Sequence, residues 1–168
     1  MTVNKQISII VAIAENNGIG KNNQLLWHIS EDLKRFKKIT FGRTVVMGKN
    51  TYLSLPYKPL SNRKNIVITD VPGEIFEGCV TVNSISEAIE KMDDHAENFI
   101  MGGASIYNQF FQTAQKLYIT KVHVAPEADT FFPEILPEQW ELIENSGEQT
   151  DANNGLQYHF LTFIRREK

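Results

Sequence analysis

Apolar positions fall along this chain in short blocks rather than long stripes, and block length separates strands from helices. Gln6–Ala14 (QISIIVAIA) is an almost unbroken apolar run rich in β-branched residues. It is too short for a buried helix and ends at the turn-forming Glu15-Asn16-Asn17-Gly18, so it predicts a strand covered on both faces. Similar runs at residues 44–47 (TVVM), 65–69 (NIVIT), 79–82 (CVTV), 98–101 (NFIM) and Lys116–Val122 (KLYITKV) predict further strands. Helical patterns fill the gaps. Ser30 precedes Glu31-Asp32-Leu33-Lys34-Arg35-Phe36-Lys37-Lys38-Ile39 as an N-cap candidate, and Ser84-x-x-Glu87 forms a capping box ahead of Ala88, Ile89 and Met92. A short helix follows Gly48, and another follows Gly102-Gly103 through Ile106, Tyr107, Phe110 and Phe111.

Strands alternating with helices predict an α/β fold: a mixed, mostly parallel central sheet of about eight strands flanked by about four helices. The tail departs from this rhythm. Residues 140–144 and Gln157–Arg165 are strand-like, and the polar stretch 146–155 between them carries no helical pattern. They predict a C-terminal antiparallel hairpin at the sheet edge.

Composition narrows the class without naming an activity. The chain has 168 residues, 42% hydrophobic and 22% charged, which suits one domain over residues 1–168. Seventeen Lys and Arg against twenty Asp and Glu leave a net charge of -3. That balance argues against a general nucleic-acid or membrane-surface binder while permitting a local basic pocket. Cys79 has no cysteine partner for a disulfide, and the four histidines show no metal-ligand spacing, so no metal is expected. With no leader-like start and no apolar run of membrane-spanning length, the expected setting is a reduced cytoplasm, and the default state a monomer.

Ligands in open α/β sheets bind at the carboxyl ends of strands, which directs attention to the residues just after each run. On a helix of about 100° per residue with Asp32 at zero, Phe36 falls at about 40°, Leu33 at about 100° and Ile39 at about 340°. Asp32 thus lies within the apolar stripe, whereas Glu31, Lys34, Arg35 and Lys38 are expected on a solvated face. An unpaired carboxylate there is costly. It is either satisfied by the first-turn dipole and backbone amides, or it anchors a ligand offering paired N–H donors, with Leu33 and Phe36 as walls. Two glycine turns come after predicted strands: Met47-Gly48-Lys49-Asn50-Thr51-Tyr52 and Met101-Gly102-Gly103-Ala104-Ser105. Each combines backbone that ligands can approach closely with free N–H groups suited to phosphate, and Lys49 adds a positive charge. Neither a Walker A sequence nor a GxGxxG fingerprint is present. Arg63, in a polar loop, has the fork to clamp an anionic tail.

Taken in order, these residues resemble dihydrofolate reductases of the bacterial chromosomal type. The carriers are Ile10-Val11-Ala12-Ile13-Ala14 with Gly18-Ile19-Gly20, and Leu25-Leu26-Trp27-His28 with Asp32-Leu33-x-x-Phe36-Lys37. Val46-Met47-Gly48-Lys49-x-Thr51-Tyr52, Leu60-Ser61-x-Arg63-x-Asn65 and Met101-Gly102-Gly103-x-x-Ile106-Tyr107 come next. Leu117-Tyr118-Ile119-Thr120 and Asp129-Thr130-Phe131-Phe132-Pro133 complete a set spanning about residues 7–166. The resemblance implies NADPH-dependent reduction of 7,8-dihydrofolate, with small-molecule partners only.

It also implies roles. Asp32 corresponds to the buried acid that binds the pterin and promotes N5 protonation through solvent and Trp27, and Thr120 to the strand threonine bonded to it. Ile10, Ala12, Leu33, Phe36, Leu55, Leu60 and Met101 would line the folate pocket, with Arg63 on the glutamate carboxylate. Ala12, Ile19, Gly20, Gly102, Gly103 and Tyr107 would shape the nicotinamide end, together with Ala104, Ser105 and Ile106. Gly48, Lys49, Asn50 and Thr51 would serve phosphates, and Thr69 the 2′-phosphate. Residues 15–26 match the loop that closes over the nicotinamide. Three positions depart from the family pattern. Leu26 replaces a proline, Lys49 a commoner arginine, and Asp70 a small polar residue, where its carboxylate would repel a 2′-phosphate. Two other readings are a same-fold pyrimidine reductase of riboflavin synthesis and a catalytically silent ligand-binding module.

Overall fold

A computed structural model describes residues 5–21 and 26–167. The long central strand β1 (Gln6–Ala14) is followed by the short β2 (Gly18–Gly20), helix α1 (Ser30–Thr40), β3 (Thr44–Gly48) and α2 (Lys49–Ser54). Then come β4 (Lys64–Ile68), β5 (Val80–Val82), α3 (Ile85–Lys91), β6 (Glu97–Ile100), α4 (Ala104–Phe110) and β7 (Lys116–Val122). The last elements are β8 (Thr130–Phe131), β9 (Trp140–Asn145), β10 (Gln149–Thr150) and β11 (Gln157–Arg165).

Eight strands run in the order β10-β11-β7-β1-β6-β3-β4-β5, with β9 also paired to β11. The six strands from β7 to β5 are mutually parallel, and β11 runs antiparallel to β7, β9 and β10. The predicted mixed sheet with an antiparallel C-terminal edge is therefore what the chain builds. The chain extends from β1 toward β5 on one side and toward β11 on the other, so the topological switch point, where open α/β sheets have their ligand crevice, falls at the carboxyl ends of β1 and β6. A separate ribbon, β2 against β8, was not predicted.

The sheet is buried on both faces, as its continuous apolar runs require. Ile7, Ile9, Val11 and Ile13 of β1 pack with Ala88, Ile106 and Phe110 from the side of α3 and α4. Ile10 points the other way, toward Phe36 and Ile39 of α1 and Tyr52 of α2. Period-two alternation along β1 thus sets which residues can reach a ligand lying against α1.

Helix starts differ from expectation at one place. Ser84 caps α3 as predicted, its Oγ accepting from the Glu87 N–H at 3.0 Å. Ser30, expected as the cap of α1, is instead its first residue, and Ile29 precedes it without a side-chain cap. Ile29 is 3% exposed, and burying it pulls the helix start back by one position. The Ser30 N–H is satisfied by Asp151 Oδ2 at 3.2 Å, from the far end of the sequence.

Candidate active site

The crevice brings α1 over the carboxyl half of β1 and β7. Strand pairing sets Ala12 beside Thr120, and Thr120 Oγ1 donates to Asp32 Oδ1 at 2.5 Å. Burial pushes the Asp32 carboxyl above the usual range, opposed by that hydrogen bond and by the charge of Arg35. Arg35 is not on a solvated face as its sequence neighbourhood suggested. On the helical wheel it falls at about 300°, only about 40° from Ile39, so it flanks the apolar stripe. Its guanidinium lies 4.5 Å from the Phe160 ring centroid and 5.8 Å from that of Tyr118. The flat, weakly hydrated head makes this partial burial tolerable.

On β1, the hydroxyl of the buried Tyr107 donates to the Ile10 carbonyl at 2.9 Å. Burial, aided by the Asp32 charge, raises the phenol far above its ordinary pKa and keeps it a donor. Phe36, Leu55, Leu60 and Met101 are half-buried around one apolar cluster, whereas Leu33 is 49% exposed at its margin. Arg63 is fastened at the same end. Its Nε donates to Ser61 O at 2.9 Å and its Nη1 to Thr40 Oγ1 at 3.2 Å, with Phe36 alongside. Trp27 packs on the Ile29, Val122 and Tyr158 cluster.

The two glycine turns, remote in sequence, form one junction because β3 and β6 are parallel neighbours. The Gly48 N–H donates to Gly102 O at 2.9 Å. A Cβ on Gly48 would lie 3.1 Å from Ile106 Cγ1, and one on Gly102 would lie 3.1 Å from Thr51 Oγ1. Gly102 also has φ +135°, which side-chain-bearing residues rarely adopt. Helices α2 and α4 have six and seven residues, so their exposed N–H groups matter more than any summed dipole. Asn50 is exposed; in α4, the Ala104 carbonyl accepts from Asn108 Nδ2 and Ser105 Oγ from Gln109 Nε2. Ile19 packs on the main core and Gly20 is buried, both in the β2–β8 ribbon. Leu25 and the part of the expected closing loop at residues 22–25 lie outside the described residues.

Sequence reasoning missed Glu74. Its Oε2 lies 2.8 Å from Lys49 Nζ, and its Oε1 accepts from the 2%-exposed Thr69 at 2.5 Å. These hydrogen bonds, that to Lys49 foremost, hold the Glu74 carboxyl below the usual range. Nothing local in the sequence marks this contact, since the partners lie on separate elements. Two surface cavities, of about 470 and 950 Å³, lie away from this crevice, one beside Glu15 and Lys121 and the other beside Glu97 and Arg165. Among the described residues no cluster suits a metal ion, and no helix is long and apolar enough to cross a membrane.

Comparisons of sequence and of shape converge. A family model described as dihydrofolate reductase matches residues 6–165. Dihydrofolate reductase of Bacillus subtilis is 40% identical over 160 residues, covering 95% of each chain. That of Neisseria gonorrhoeae is 42% identical over 159 residues, 95% of this chain and 98% of the relative. The solved dihydrofolate reductase from Enterococcus faecalis complexed with NADP(H) and RAB-propyl has a TM-score of 0.87 at 31% identity, covering 99% of this chain and all of that one.

Proposed function

Because the chain belongs to the dihydrofolate reductase family, we propose that it reduces 7,8-dihydrofolate to 5,6,7,8-tetrahydrofolate with NADPH, in support of one-carbon metabolism. The observation that carries this reading is Asp32, a carboxyl set in an apolar wall, fastened by Thr120 and favoured in its acid form by burial. The chain's residues suit a dinucleotide with anionic groups. Lys49 and Thr69 already hold a carboxylate between them, and Gly102 has no side chain to crowd Thr51, where an added Cβ would lie 3.1 Å from Oγ1.

Bound NADPH supplies the hydride to pterin C6. Asp32 receives the N–H groups of the pterin edge, and Thr120 fixes the carboxyl in the orientation that can do so. A carboxyl that keeps its proton to higher pH sustains a proton supply for N5 as charge develops there, relayed by solvent beside Trp27. Tyr107 ties Ile10 down, so the floor of the crevice holds its position beneath the two rings. Leu33, Phe36, Leu55 and Leu60 exclude water along the substrate's aromatic middle, and Arg63 meets its glutamate carboxylate. Ala12, Ile19 and the Gly102-Gly103 turn shape the nicotinamide end. One domain acting as a monomer in the cytoplasm suffices for this chemistry, and the lone free thiol of Cys79 suits a reducing setting.

The test is oxidation of NADPH in the presence of dihydrofolate, for the parent and for Asp32→Asn. The parent turns over, and the variant loses about a hundredfold or more near neutral pH. A parent without turnover ends this reading. A fully active Asp32→Asn removes the acid's role and leaves the fold assignment intact.

A further inference from the structure

Lys49 and Thr69, the pair expected to meet a phosphate, are engaged by an anion of the chain's own. The Glu74 carboxylate gives one oxygen to each, Oε2 to Lys49 Nζ at 2.8 Å and Oε1 to the Thr69 hydroxyl at 2.5 Å. Thr69 has little freedom to serve anything else. It is 2% exposed, its N–H donates to Val82 O at 2.9 Å, and its Oγ1 accepts from the Val71 N–H at 3.2 Å. Asn83 Nδ2 donates to the carbonyls of Thr69 and Val71, closing the loop on itself. Lys49 is the first residue of α2, directly after the Gly48 that bonds to Gly102. Its backbone is therefore placed by that junction, and its ammonium by Glu74. The side chains of Lys49 and Glu74 retain 32% and 24% exposure, so the carboxylate has a route into solvent.

We propose that Glu74 is an internal counter-anion lying in the subsite of the cofactor's ribose 2′-phosphate, and that it sets how strongly this chain prefers NADPH to NADH. The inference rests on the reading of the chain as a dinucleotide-dependent reductase. A ribose 2′-hydroxyl can donate to a carboxylate, so Glu74 can stay in place when NADH binds. A 2′-phosphate is itself an anion and needs both donors that Glu74 holds, so the carboxylate must swing away first. Lysine presents a compact charge rather than a bidentate fork, and it serves one of the two anions well at a time. Asp70, the exposed residue after Thr69, is a second acid in the same segment. The charges of Lys49 and Glu74 cancel, leaving a site that attracts the phosphate less than its lysine suggests.

The experiment compares the parent with Glu74→Ala and with the conservative Glu74→Gln. Calorimetry gives the dissociation constants of NADPH, NADH, 2′,5′-ADP and 5′-AMP, and steady-state assays with dihydrofolate give kcat/KM for both dinucleotides. Removing the carboxylate's charge should tighten NADPH and 2′,5′-ADP about tenfold, since like charges brought together in a binding site are strongly unfavourable. NADH and 5′-AMP should be unchanged or weaker, and the kcat/KM ratio should shift toward NADPH. A ratio of NADPH to NADH affinity that stays constant or falls in both variants overturns the proposal, because Glu74 would then be an innocent neighbour or a guide for Lys49. A parent that reduces dihydrofolate while this ratio does not move leaves the functional reading standing. A parent with no turnover ends that reading instead, and the ratio of 2′,5′-ADP to 5′-AMP affinity still decides for or against Glu74.

Discussion

Burial makes the Asp32 anion difficult to hold, and the chemistry proposed for it draws on that difficulty. Burial is the largest influence on its carboxyl, outweighing the hydrogen bond from Thr120 and the charge of Arg35. Its pKa therefore lies above the ordinary 3.8 in the folded protein. Over the interval between the two values the folded state binds a proton that the unfolded chain has released. The group's contribution to stability is complete below the unfolded pKa and is lost as pH rises through the folded one. Asp32→Asn removes this titration yet keeps an oxygen to accept from Thr120. In urea melts the variant should match the parent at about pH 4 and become the more stable of the two toward neutrality, even as its turnover collapses. A variant less stable than the parent at neutral pH would mean that the carboxylate is held by contacts stronger than its desolvation. Residue type and helical spacing sufficed to place Asp32 in an apolar stripe. They could not supply Thr120 as its partner, 88 positions away on another element.

The same division appears among the elements. Strands were legible because a strand buried on both faces has to be an unbroken apolar run, and such runs end where the sheet ends. The short strands β2, β8 and β10 escaped, since two or three residues carry no pattern and their pairing depends on partners elsewhere in the chain. The start of α1 escaped for a similar reason. Its free N–H is met by Asp151, whose carboxyl is held below the usual range first by the Asn153 N–H and also by those of Asn154 and Ser30. These roles separate in thermal melts. Ser84→Ala removes a true cap and should cost about 1 kcal/mol, whereas Ser30→Ala should lie within about 0.5 kcal/mol of the parent. Asp151→Ala should lower Tm more than Ser30→Ala. It should also raise KM for dihydrofolate, because α1 carries Asp32. The stabilisation from Asp151 is full above the unfolded carboxylate pKa and disappears as pH falls through its lowered value. An Asp151→Ala protein that melts with the parent would show α1 to be set by packing of Ile29 alone.

At the scale of the whole molecule, a net charge of -3 says nothing of the two cations proposed for the ligands, Arg63 and Lys49, which stand on separate parts of the chain. The wall around Asp32, Phe36, Leu60 and Arg63 hangs on α1 and the loop before β4. The opposite end depends on one junction, where the Gly48 N–H meets Gly102 O and Gly102 leaves no space for a side chain. Gly102→Ala tests whether these ends are mechanically distinct. Its methyl would lie 3.1 Å from Thr51 Oγ1 and 3.6 Å from the Tyr107 hydroxyl, on a backbone with φ +135°. Accommodating it requires the turn to shift, with strain of about 1–3 kcal/mol. If that strain falls mainly on the dinucleotide side, the dissociation constant of NADPH should rise about tenfold or more, while that of dihydrofolate changes less than about threefold. Quenching of tryptophan fluorescence measures both constants on one protein. Equal weakening of the two ligands would mean that the Tyr107–Ile10 bond transmits the shift across the floor, and that the crevice responds as one unit.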